Sequence, residues 1–141
     1  MQGLWANWMK VWCWGVFAFG VVLATAAVPP IDGLVRTLYA LFSGGGENAA
    51  AFDTNAMRFG LGLQGALTMG WALTMLAAIR TGAPVWRELT VAVLLWYVID
   101  NAISLSTGFA LNAVSNTALL ITYLIPVLAS GALKQRAVRA G

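Results

Sequence analysis

Apolar residues in this chain gather into four long stretches, at about residues 11–28, 59–79, 89–105 and 113–133. Each is long enough to cross about 30 Å of hydrocarbon at about 1.5 Å per helical residue. Their apolar positions surround the helix axis instead of alternating at period two, which predicts membrane-spanning helices and argues against barrel strands. Polar punctuation supports the limits. Pro29 and Pro30 close the first stretch, Gly82 stands where a C-terminal cap belongs, Pro84 suits the first turn of the third helix, and Gly108 ends the third stretch. Asn112 is placed to cap the fourth. Pro126 lies inside the fourth and cannot donate to the Thr122 carbonyl, which predicts a kink.

Between the first two stretches the rhythm changes. Ile31, Leu34, Val35, Leu38, Leu41 and Phe42 recur at helical spacing opposite Asp32, Arg36 and Thr37, predicting a short interfacial helix over 31–42. Gly44, Gly45 and Gly46 stop it, and 47–53 reads as a polar, mobile connection. The expected fold class is all-α: a four-helix transmembrane bundle with a short interfacial helix between the first and second spans, forming one integral membrane domain over 1–141.

Composition agrees with that environment and narrows the chemistry. Of the residues, 60% are apolar and 9% charged, where a soluble domain carries about a quarter charged. With no histidine and one cysteine, the chain lacks the ligands for His-bound haem, zinc sites and iron–sulfur clusters, and the pair for Cys–His nucleophiles. Cys13 stands in an apolar run and is expected to pack as a small hydrophobe. No cofactor and no metal are expected, and the net charge of +3 forms no basic stripe for a nucleic acid.

The cations are unevenly divided. Lys10, Arg80, Arg87, Lys134, Arg136 and Arg139 fall on one side of the expected topology, against Arg36 and Arg58 on the other. The positive-inside rule then places both termini in the cytoplasm. Trp5, Trp8, Trp12, Trp14 and Trp86 are expected to form an aromatic belt at that face. Ala24-Thr25-Ala26 has the small-residue pattern of a cleavage site, but an apolar run of 18 residues exceeds the usual signal core. With its Trp flanks, the run is expected to be a retained anchor.

Candidate chemistry centres on the third span, where Asp100 and Asn101 interrupt an apolar sequence. An intramembrane carboxyl costs a few kcal/mol unless it is paired or protonated, so it marks a candidate site. Asp100 lies about 10 Å below the outer boundary and Gln64 about 9 Å, while Arg58 starts at that boundary with a side chain long enough to descend. The expected polar cluster is Arg58, Gln64, Asp100, Asn101, Ser104 and Asn116, with Arg58 as the cation for Asp100. Such a cluster either holds helices together or lines a path for a proton, ion or small ligand. A catalytic role lacks a nucleophile and base pair, so no catalytic residue is assigned.

Small residues mark the expected packing faces: Gly62, Ala66 and Gly70 on the second span, Gly20 and Ala24 on the first. The run from Trp96 to Asn101, then Ser104, Gly108-Phe109 and 111–117, resembles small four-helix bacterial inner-membrane proteins of unknown function, as do Arg58-Phe59 and Gly70-Trp71. The resemblance implies that fold and a bacterial inner membrane, and carries over no activity. The expected role is non-enzymatic or of uncertain activity: a subunit or accessory factor of a membrane complex or homo-oligomer in the lipid bilayer. The alternative is a small carrier or ligand-binding protein built around Asp100.

Overall fold

The computed structural model describes residues 1–134. Six helices follow in order: α1 Gly3–Ala24, α2 Gly33–Phe42, α3 Gly46–Ala50, α4 Asn55–Thr81, α5 Trp86–Ser106 and α6 Ala110–Ala129. The described residues contain no strand. Among the described residues four helices are long and apolar enough to cross a membrane, α1 extending through a 3-10 turn to Ala27. This is a multi-pass membrane protein of all-α class.

The helices run beyond the expected limits at most ends. α1 begins near residue 3 because Ala6 and Met9 already bury themselves in the bundle. α4 begins where the Thr54 hydroxyl accepts the Met57 N–H at 3.2 Å, a side-chain cap that satisfies one otherwise unpaired donor. It ends at Gly82, whose φ of +66° is the left-handed conformation a glycine cap adopts without strain. The fourth span stops at Ala129 instead of residue 133: Gly131 turns the chain at φ +65°, and a 3-10 turn tucks Ala132 against the core.

α1 packs most extensively on antiparallel α4, α5 pairs with α6, and α1 against α6 joins the two pairs. The α1–α4 contact is close because glycine faces glycine. A methyl at Gly65 would stand 2.5 Å from the Gly20 carbonyl oxygen and 2.5 Å from the Ala24 nitrogen, so backbone meets backbone there. Gly20, Ala24 and Gly62 therefore lie in the interface, Gly62 against Ala27. Ala66 and Gly70, expected on this ridge, are exposed, and Gly65 takes their place because the contact stripe runs one position away from the expected i, i+4 row.

The core between the helices is aromatic and thioether-rich, with Met9, Trp12, Met75, Trp86, Tyr123 and Val127 buried and Cys13 fully enclosed. Trp12 and Trp86 accordingly leave the expected belt, while Trp8 and Trp14 remain exposed. The Trp12 indole donates to the Leu119 carbonyl at 3.2 Å and to the Thr122 hydroxyl at 3.1 Å. Trp8 donates to the Thr122 carbonyl at 3.0 Å. That carbonyl is the one Pro126, four residues on, has no N–H to reach, so α1 supplies the donor α6 lacks.

Candidate functional site

Two polar assemblies occupy the half of the bundle where α2 and α3 lie. The first is built on α5 and α6. Asp100 and Ser104 stand four residues apart on one face of α5, and Asn112 and Asn116 stand four apart on the facing side of α6. All three neighbours donate to one oxygen: Asn116 Nδ2 to Asp100 Oδ1 at 2.7 Å, Asn112 Nδ2 at 2.8 Å and Ser104 Oγ at 3.2 Å. Asn112 also donates to Ser104 Oγ at 2.8 Å, and Asn116 to Asn101 Oδ1 at 3.1 Å. About one turn away on α5 the Tyr97 hydroxyl meets that of Thr117 at 3.1 Å. Ser104 and Asn116 are buried.

Asp100, Asn101, Ser104 and Asn116 thus come together, and Asn112 joins them. Its expected role as a cap is not what the structure shows: α6 has no side-chain cap at its start, and the Asn112 amide turns inward to the carboxyl. The i, i+4 pairing of Asn112 with Asn116 was the signal in the sequence that could have placed it here.

Asp100 Oδ2 has no hydrogen bond among the described residues, and the carboxyl borders a shallow groove of about 360 Å³. Ala92, Leu95, Trp96, Ile99 and Ile103, all on α5, line the rest. All of its lining residues belong to α5, so the groove runs along the side of that helix. At Trp96 it adjoins α4, whose Trp71 ring centroid is 6.0 Å away. Gln64, expected in the cluster, is exposed on α4.

Arg58 belongs to the second assembly and does not make the expected pair with Asp100. Its guanidinium donates to Asp32 at 2.6 Å, to Asp53 at 2.9 Å and to the Ala26 carbonyl at 2.9 Å. Arg36 shares both acids, meeting Asp53 at 2.7 Å and Asp32 at 3.3 Å. Depth alone made Asp100 the partner. The segment after α1 folds back over the bundle end and brings two acids closer.

That segment is also not the mobile connection expected. Residues 46–53 form α3 and a 3-10 turn that drops Phe52 into a second core with Leu23, Ala26, Val35 and Tyr39. The Arg36 and Arg58 guanidiniums lie 4.6 and 5.0 Å from the centre of the Phe52 ring, within cation–π range. Tyr39 also meets Phe109 at 5.3 Å, so α2 and α3 cap the end of the bundle.

The electrostatics follow from these contacts. Hydrogen bonds from Arg36, then Arg58, draw the Asp53 carboxyl down to about 2. The Arg58 hydrogen bond holds Asp32 below its ordinary value, and Asp53 raises Arg36. Burial raises the Tyr39 hydroxyl. Two acids and two bases neutralise one another, so this assembly is a latch for the cap.

The Asp100 node offers the chemistry of an acceptor. Ser104 has a carboxyl and an amide as neighbours, an arrangement that orients a hydroxyl without activating it as a nucleophile. Among the described residues, no group of three His, Cys, Asp or Glu side chains stands close enough to hold a metal ion. The node joins α5 to α6 through Oδ1 and leaves Oδ2 without a hydrogen bond among the described residues. No family model, curated protein or solved structure matches this chain.

Proposed function

We propose that this protein is a non-catalytic subunit of a larger membrane complex, and that it docks through the outward face of α5 onto a transmembrane helix of another chain. The observation that carries the reading is the Asp100 carboxyl. Oδ1 is held rigidly by three donors while the group borders an apolar groove, and Leu95, Val98, Ile99 and Ile103 around it are all at least half exposed. Left against lipid, such a carboxyl costs a few kcal/mol. A helix carrying Arg, Lys or a hydroxyl at the same depth removes that cost and gains an interhelical hydrogen bond. A second copy is the poorer fit: the face around Asp100 carries no cation, so two copies joined there set acid against acid.

The membrane in this reading is the bacterial inner membrane, with both termini in the cytoplasm. Supporting that orientation, the cations of the capped end, Arg36 and Arg58, are both neutralised by Asp32 and Asp53, and Glu47 adds a further negative charge there. The opposite end presents Lys10, Arg80, Arg87 and Lys134 against Glu88.

Photoreactive residues placed singly at Ile99 and Ile103, with Leu63 and Leu67 on α4 as controls, test the docking face in intact membranes. One defined foreign protein captured from α5 and not from α4, and lost with Asp100→Asn, is the expected result. Capture of lipid alone, or of a second copy, overturns it. A stoichiometric small molecule retained with the purified chain favours the carrier alternative.

A further inference from the structure

At the uncapped end, Lys10 on α1 and Arg80 on α4 border one groove of about 410 Å³ together with Trp14, Leu73, Leu76 and Ala77. Both cations are exposed, and neither enters an ion pair among the described residues. Lys10 makes one long contact with the Asn7 side-chain oxygen, at 3.4 Å. The contrast with Arg36 and Arg58, each shared between two acids, is complete: one end satisfies its bases internally and the other leaves two of them converging on open space.

The groove is ordered by depth. Arg80 is the penultimate residue of α4, hence at the membrane boundary, and Leu76 and Leu73 lie one and two turns deeper. Trp14 lies one turn deeper than Lys10 on the antiparallel partner, and it is 55% exposed beside Leu73 at 48%. Paired cations above and an apolar wall with an indole below match an amphiphile with an anionic head. Basic grooves between membrane helices hold acidic head groups in this way.

We propose that this groove is a binding site for an anionic phospholipid, its phosphate held between Lys10 and Arg80 and one acyl chain lying along Trp14 and Leu73. A free phosphate ion would use the cations and leave the apolar wall empty.

The test is native mass spectrometry of the full chain in mild non-ionic detergent, titrated with phosphatidylglycerol or phosphatidylcholine of identical acyl chains. Phosphatidylglycerol is expected to be retained preferentially. Lys10→Gln and Arg80→Gln should each weaken it about five-fold, and the pair about thirty-fold, at low salt. Arg87→Gln, at the same end on α5, should leave retention unchanged. Trp14→Ala should weaken both lipids alike. Equal retention of the two lipids, an equal loss with Arg87→Gln, or displacement by millimolar inorganic phosphate each overturns the proposal. Circular dichroism melts of the variants, expected to match the parent because both cations are exposed, separate lost binding from lost folding.

Discussion

The indole of Trp8 stands in for the backbone donor that Pro126 lacks, and a mutant cycle isolates that role. In Trp8→Phe the Thr122 carbonyl loses the donor now 3.0 Å away. A carbonyl left unpaired away from water costs about 1–3 kcal/mol, while measured interhelical hydrogen bonds in membranes average about 0.6 and reach about 1.7 kcal/mol. Trp8 is 40% exposed, which favours the lower range, and we expect about 1 kcal/mol from the bond, with further loss from the smaller ring. In a Pro126→Ala background the new N–H reaches the Thr122 carbonyl from within α6, so the same Trp8→Phe change costs packing alone. The packing loss cancels between backgrounds, leaving a coupling of about 0.5–1.5 kcal/mol. Reversible unfolding in mixed micelles, followed by far-ultraviolet circular dichroism, measures all four variants. Equal cost of Trp8→Phe in both backgrounds would refute the substitution of indole for amide.

Two further outcomes follow from the packing and the latch. Gly65→Ala should destabilise by about 1–3 kcal/mol in the same unfolding assay, since its methyl meets the backbone of α1, whereas Gly70→Ala, with nothing within 4 Å, should be neutral or stabilising by up to about 1 kcal/mol; similar effects at both positions would show that the helices do not meet at Gly65. Because both acids of the latch titrate below their unfolded values, its contribution is full above about pH 4 and is lost as pH falls toward about 2. Hydrogen exchange over 33–53 should therefore be flat from pH 7 to 5 after correction for intrinsic rates and rise below about pH 3; Asp32→Asn should raise it across pH 7 to 5, with the difference closing as the parent's acids protonate, and loosening already at pH 5 in the parent would contradict the ion-pair geometry.

How far the sequence foretold this architecture depends on which interactions are local. Apolar runs located the four spans, and the spacing of Leu34, Val35, Leu38, Leu41 and Phe42 located α2, because both patterns reflect one helix meeting one solvent. Asp100, Ser104 and Asn116 were legible as a group because i, i+4 spacing and depth are both helical quantities. Arg58 was not, since its partners depend on how residues 25–54 fold back over the bundle end, which no periodicity encodes. Phe52 gave no signal for the same reason: a lone aromatic between three alanines and a polar stretch becomes a core residue only when Tyr39 and two guanidiniums are brought around it. Likewise Gly65, without a small residue four positions away on its own face, escaped a search for paired small residues and proved the closest point of approach.

The bond from Trp8 to Thr122 spans 114 positions of sequence, and this has a consequence for biogenesis. During synthesis α1 enters the membrane while its indole partner does not yet exist. The α5–α6 hairpin can close by itself through the Asp100 node, but α6 arrives with a backbone acceptor that no residue in its own helix can reach. α6, inserted after α1, therefore depends on it, and the defect in its hydrogen-bond ladder selects where it comes to rest. A proline that would be a fault in an isolated helix serves as an address in the assembled bundle.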